Sequence, residues 1–369
     1  PAAVHEAMRQ LKTGRPRPVA LEIPADVLPQ SSDIDLLERE VFEKALPDSD
    51  LAKDAIDLLV NAKHPLIWAG GGINAADANS ELTSLAEYLK APVIVTAEGK
   101  GAISEDHPNY VGPYYYSHGA GVDVLPKADV ILAVGTRLFF SPPVSWGFKP
   151  DQSIIRIDAD PEELGRNWPE TVSILADAKL GLQALIDGVR DLEPESQWTK
   201  SEISEYRKSS YNRVQKMAPN QVEIIESLRR ALADDAIVVS GIDSIGYWSH
   251  LAFPVKTPKS YFNTSYFATL GFAFPTALGA KIGHPENQVV AICGDGGFMY
   301  ALPDIATAVQ EGINVVAIVF NDRALGATLR DQQVRYNNRV IGTQIHNPDF
   351  AALADSFGAM GIKLDNYTQ

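Results

Sequence analysis

Two aspartates stand where an apolar run gives way to small residues, a setting that suits the binding of a hard cation. Asp295 lies in Cys293-Gly294-Asp295-Gly296-Gly297-Phe298, directly after Val289-Val290-Ala291-Ile292. Asp322 lies in Asn321-Asp322-Arg323-Ala324-Leu325-Gly326, after the apolar run 314–320. The two are separated by about one helix-plus-strand unit. Where an apolar strand ends in a glycine turn that opens a helix, backbone N–H groups gather at the helix N-terminus and can hold a phosphate oxygen. Glycine lets the backbone approach closely, and a carboxylate there offers a hard oxygen to Mg²⁺. In a parallel sheet both acids leave at the same edge, at neighbouring strand ends. Gly-Asp-Gly alone is more often a tight turn. The second acid is what gives the pair a chemical meaning.

The charge balance bears on what such a site could bind. Lys and Arg number 32 against 47 Asp and Glu, a formal charge of −15. That balance repels a nucleic-acid backbone, whereas a bound metal and a helix N-terminus still supply positive potential locally for a diphosphate. Hydrophobic residues at 45% and charged residues at 21% are those of a folded globular protein. Cys293 is the single cysteine, so no disulfide framework is expected and a reducing compartment is. It reads as a small hydrophobe in a buried strand rather than a reactive thiol. No apolar stretch reaches membrane-spanning length and no leader precedes Pro1, so the expectation is a cytoplasmic protein without membrane contact.

The elements that must position the two acids follow from periodicity. The spacing predicts a helix from Asp48 and strands at 65–69, 92–96, 129–134 and 153–157, with a helix near 76–89. This is the alternation of a parallel α/β domain. An acid-rich helical connection over 191–209 leads to a second such unit. That unit has a helix at 221–232, strands at 236–240, 288–293 and 314–320, a helix at 350–357 and a last strand at 361–364. The fold class is therefore α/β, with two doubly wound domains and largely parallel sheets. Residues 1–30 form an opening piece with a helix around Val4–Met8 and a strand over 18–24. Residues 31–49 read as a linker, 50–190 as the central domain, 191–218 as a connecting segment and 219–369 as the domain that carries both acids.

With these residues in view, the chain resembles the thiamine-diphosphate enzymes of the acetolactate synthase and pyruvate decarboxylase superfamily. Gly-Asp-Gly followed by a helix, a strand and Asn-Asp before a glycine is similar to that family's cofactor motif. Leu270-Gly271-Phe272-Ala273-Phe274-Pro275-Thr276-Ala277-Leu278-Gly279-Ala280, Ala133-Val134-Gly135-Thr136-Arg137-Leu138 and Asn347-Pro348-Asp349-Phe350 resemble its flanking segments in family order. The resemblance implies that Asp295, Asp322 and the Ala324 carbonyl ligate Mg²⁺. It implies that Gly294, Gly296 and Gly297 border the diphosphate, with Leu325 against the cofactor and Ser244 and Ile245 on a second phosphate-side loop. The Ala268 carbonyl would hold the aminopyrimidine, and Leu270 would be the apolar wedge that bends the cofactor. Asp322 departs from the family's usual asparagine, so diphosphate binding is expected to depend on the metal. Decarboxylation and carboligation of a 2-oxo acid substrate, as in acetolactate synthase, is the implied activity, in a homodimer or homotetramer. A decarboxylase of the benzoylformate or oxalyl-CoA type is the alternative.

In the family a glutamate of an N-terminal pyrimidine-binding domain activates the cofactor. The piece 14–27 resembles only that domain's final strand, so the sequence is expected to be incomplete at both ends and the chain alone inactive. Two readings of other classes compete. Ala69-Gly70-Gly71-Gly72-Ile73-Asn74-Ala75 fits a dinucleotide-binding turn, with Arg137 and Asp158 as the contacts for FAD or ADP, or else is a structural turn. A cofactor-binding protein without catalysis is the other. The histidines, among them His118 and His250, show no metal-ligand spacing, and Tyr114-Tyr115-Tyr116 reads as interface packing.

Overall fold

The structure, a computed structural model, describes residues 1–114, 118–138, 148–149, 151–264 and 267–364. Six strands form the first sheet: β1 (Pro65–Ala69), β2 (Val93–Val95), β3 (Tyr110–Pro113), β4 (Val130–Val134), β5 (Ser153–Asp158) and β6 (Val172–Leu175). Their order is β3-β2-β1-β4-β5-β6 and every pair is parallel. The run Pro-Leu-Ile-Trp-Ala of β1 is buried throughout, as a strand covered on both faces must be. Its side chains divide by the two-residue period: Ile67 and Ala69 join one core, Leu66 and Trp68 the other. The helices Ser49–Asn61, Asn79–Tyr88 and Ala178–Val189 supply the first core. Trp198 and Ile203, at the start of the helix Lys200–Met217, close the second.

The second sheet contains β7 (Ile237–Ser240), β8 (Tyr261–Asn263), β9 (Val289–Gly294) and β10 (Val316–Phe320) in the order β10-β9-β7-β8, again all parallel. Cys293 is buried in its core, and burial raises its thiol pKa, which keeps it protonated. The doubly wound parallel architecture is therefore present twice.

Several local expectations are corrected. Residues 18–24 and 361–364 form no strand. A strand needs a neighbour to take its N–H and C=O groups, and both segments stay at the surface, with Leu21, Ile23, Ile362 and Leu364 exposed. The helix expected near 76–89 is present as Asn79–Tyr88, preceded by a short helix, Gly71–Ala75, and a turn with Asp77 at φ 55°. The connecting helix begins at Lys200, where Thr199 and Glu202 form a reciprocal capping box. Tyr114 packs on Trp68 with ring centroids 5.2 Å apart; Tyr115 and Tyr116 lie outside the described residues.

The two sheets are joined through polar contacts. Asn263 donates to the Ala97 carbonyl (3.1 Å) and the Glu105 amide to Val255 (2.9 Å). Lys100, 3% exposed, pairs with Glu105 at 2.6 Å and faces the Tyr261 ring. His250 is buried beside this group, edge-on to Tyr261. Burial and then the Lys100 charge push its pKa down from the ordinary 6.5 to about 3. The unfolded chain thus takes up a proton near the ordinary value that the folded chain refuses until about 3. Stability is unaffected above that window and falls as pH drops through it. A His250→Phe variant is expected to show an acid limb shallower by up to about 1.4 kcal/mol per pH unit, measured by denaturant unfolding across pH 3 to 7; an unchanged limb would contradict this.

Candidate functional site

β9 and β10 pair in the register Val319↔Cys293 and Phe320↔Gly294, so the residues that follow each strand leave the sheet at one edge. Asp295 opens the short helix Asp295–Tyr300 and is 2% exposed. Its Oδ1 accepts from the Gly296 amide at 2.8 Å. Its Oδ2 accepts from the Arg323 amide at 2.7 Å and from Asn347 Nδ2 at 2.6 Å. Asp322 accepts from the Ala324 amide at 3.2 Å. Burial and then the Asp295 charge raise its carboxyl pKa, so the buried Asp295 and the exposed Asp322 place two carboxylates close together at this edge. Arg323 sits between them at φ 57°, a left-handed turn that aims its own amide at Asp295.

Ala324 is held by an antiparallel bridge to Gln344. The bridge uses the Leu325 amide, which donates to Thr343 (2.8 Å), and the Arg323 carbonyl, which accepts from Ile345 (3.0 Å). Ala324's own carbonyl stays outside that pairing. Leu325 therefore meets the site by its side chain: a Cβ at Gly296 would lie 2.8 Å from Leu325 Cδ2.

A third acid, Asp243, was not singled out from sequence. β7 neighbours β9, so its following turn reaches the same edge. Asp243 caps the helix Ser244–Ala252, its Oδ1 accepting from Ile245 and Gly246 at 2.9 Å each. The other oxygen, Oδ2, is buried and has no hydrogen-bond partner among the described residues. Burial raises the Asp243 pKa against those two amide bonds, and the charges of Asp322 and Asp295 raise it further. The signal was available: an aspartate directly after a strand and before a helix is an N-cap. Ile245 is buried with its amide on that cap, and Ser244 is the exposed residue of the turn.

Two of the glycines are required by close approach. A Cβ at Gly294 would stand 2.7 Å from Asp243 Cβ, and one at Gly271 would stand 2.8 Å from Tyr300 Cβ. Gly297 faces Leu270, whose Cδ2 would be 3.9 Å from such a Cβ. Gly241, Ile242, Leu270, Gly294 and Gly297 line one pocket with Phe272. Ala268 lies on the turn before it at φ 54°, with its amide on the Thr264 carbonyl at 2.7 Å. That conformation costs an L-residue about 1–2 kcal/mol. Ala268→Gly is expected to leave the denaturant midpoint unchanged or raised and Ala268→Val to lower stability by more than about 1 kcal/mol; equal effects would contradict the strain.

The hard-oxygen set of Asp295, Asp322 and the Ala324 carbonyl fits Mg²⁺. The glycine turn packs closely against Asp243 and Leu325, and the buried Asp243 oxygen adds charge that a cation offsets. Among the described residues no group of three or more His, Cys, Asp or Glu side chains is arranged to hold a metal, so such an ion would need backbone or ligand oxygens as well. In the first sheet, Gly70 and Gly72 pack against Gly135, a Cβ at Gly70 meeting its carbonyl at 2.2 Å. Asp158 accepts from the Asp160 amide and from Arg156. The Arg137 carbonyl accepts from Asn167. No helix among the described residues is long and apolar enough to cross a membrane.

Residues 52–185 match the family model described as thiamine pyrophosphate enzyme, central domain, and residues 242–369 match thiamine pyrophosphate enzyme, C-terminal TPP binding domain. A probable acetolactate synthase large subunit of Methanococcus aeolicus is 32% identical, over 99% of this chain and 66% of that protein. The acetolactate synthase large subunit of Corynebacterium glutamicum is 31% identical, over 99% of this chain and 61% of that protein. The chain thus spans less than two thirds of the length of these relatives. With both family models matched in order over most of its length, the chain belongs to the thiamine pyrophosphate enzyme family.

Proposed function

We propose that the chain is part of a thiamine-diphosphate- and Mg²⁺-dependent enzyme that decarboxylates a 2-oxo acid and joins the product to a second carbonyl, as an acetolactate synthase does. The observation that carries this reading is the emergence of Asp295 and Asp322 from adjacent parallel strands at one sheet edge. The likeness to acetolactate synthase large subunits supports it. Bound thiamine diphosphate would supply the carbon nucleophile that cleaves a 2-oxo acid. The chain's part is to bind and orient. Asp295, Asp322 and the Ala324 carbonyl would hold Mg²⁺, and Gly294, Gly296 and Gly297 would admit the diphosphate. Leu270 would press on the cofactor and the Ala268 carbonyl would fix its aminopyrimidine. Leu270, Phe272 and Phe298 give the adjoining pocket an apolar wall that excludes water. The same reading implies a homodimer or homotetramer.

The test is competition binding of thiamine diphosphate, ADP and NAD⁺ in the presence of Mg²⁺. Selective binding of thiamine diphosphate is expected, and a preference for the dinucleotide would favour an oxidoreductase. Product analysis of the parent enzyme with pyruvate separates carboligation, which yields acetolactate, from simple decarboxylation, which yields acetaldehyde.

Asp243 gives this reading a further consequence. An asparagine there keeps an acceptor for the Ile245 and Gly246 amides while removing a negative charge from the site. Asp243→Asn is expected to raise metal-free affinity for thiamine diphosphate about tenfold, equivalent to about 1.4 kcal/mol. Calorimetric titration without Mg²⁺ checks it, and unchanged affinity would contradict it.

A further inference from the structure

Asn347 lies in a loop that reaches the acidic edge from outside the sheet. Its Nδ2 stands 2.6 Å from Asp295 Oδ2 and 2.9 Å from Asn321 Oδ1. A carboxylate accepts only from the NH₂ end of the amide, which fixes the direction of the side chain. The NH₂ group has two hydrogens and two acceptors in front of it. The loop is tied down on both sides of the contact. Before it, Thr343 and Ile345 bond to Leu325 and Arg323 of the Asp322 turn, and Gln332 holds Thr343 Oγ1 at 3.0 Å and the Ile341 amide at 3.2 Å. After it, Asp349 caps the helix Phe350–Ser356 through the Ala351 and Ala352 amides. Pro348 between them restricts the chain further. Asn347 is thus a neutral donor on a braced loop, supported by the loop that carries the other acid.

We infer that Asn347 is a positioning residue for the metal. It holds Asp295 Oδ2 in place while the carboxylate's one remaining lone-pair site, on Oδ1, is left for the ion, and it couples that orientation to the Asp322 turn. The inference rests on the reading that Asp295 is a metal ligand. Without the amide, Asp295 keeps only backbone donors and can turn away from the acidic edge. Outer-shell partners of this kind set metal affinity by about 10–100-fold.

The test titrates Mn²⁺ into the full chain with saturating thiamine diphosphate, followed by electron paramagnetic resonance. Asn347→Leu preserves bulk and removes the donor; it is expected to weaken Mn²⁺ binding about 10–100-fold in protein shown by circular dichroism to be folded. Asn347→His carries its Nδ1 at the same distance along the side chain and is expected to retain most of the affinity. The inference is overturned if Asn347→Leu binds Mn²⁺ within about twofold of the wild type, or if Asn347→His loses as much as Asn347→Leu. Asp295→Ala separates the two levels. If it binds Mn²⁺ like the wild type, the metal-ligand reading fails; if it loses the ion while Asn347→Leu keeps it, only the role of Asn347 fails.

Discussion

Asp295→Ala is expected to weaken Mg²⁺ binding by more than the about 10–100-fold typical of an outer-shell loss, and with it to remove Mg²⁺-dependent binding of thiamine diphosphate. The size follows from how much converges on one side chain. Asp295 is nearly fully buried and accepts three hydrogen bonds, from Gly296, Arg323 and Asn347. Two of these come from the loops that carry or brace Asp322. Removing the carboxylate deletes a hard ligand and leaves the Arg323 amide and the Asn347 NH₂ without their acceptor. Asp295→Asn preserves the shape but offers one neutral oxygen, so it should fall between alanine and the wild type. Equal Mg²⁺ affinity of wild type and Asp295→Ala in calorimetry would contradict the assignment.

Glu170→Ala is expected to cost about 3–5 kcal/mol of stability, the usual consequence of leaving a buried charge without its partner. Arg156 is fully buried in β5 and its Nη1 donates to Glu170 at 2.9 Å. Glu170 also accepts from the Gly165 amide at 3.0 Å and from the Ser173 hydroxyl. Asp158 gives Arg156 only a longer contact, 3.3 Å, and burial raises its own pKa. It is therefore a weak substitute. Denaturant unfolding checks the loss, and a change below about 1 kcal/mol would show that Arg156 finds another partner. The prediction also bears on Asp158, which the sequence offered as a nucleotide contact. Its bonds to Arg156 and Asp160 give it a structural task.

The residues that could be read from sequence were those whose signal is local. β1, β4, β9 and β10 are uninterrupted apolar runs, and Asp295 and Asp322 sit directly after two of them. β3, β6 and β8 were missed because three or four residues cannot display a period, and β3 contains Gly112 and Pro113. Residues 18–24 look like a strand because they are apolar, but pairing depends on a neighbour that local sequence does not specify. The same distinction divides the site. Asp243 joins the acidic edge only because β7 lies next to β9, and Asn347 reaches Asp295 only because residues 343–345 fold back on 323–325. Both roles are tertiary, although the cap signature at Asp243 was visible.

The central claim is a diphosphate site that works through a metal. Calorimetric titration of thiamine diphosphate into the wild-type chain, with and without Mg²⁺, tests it most directly. Three carboxylates at one edge predict saturable binding in Mg²⁺ and little without it. Equal affinity in both conditions, in protein shown by circular dichroism to be folded, would contradict the account.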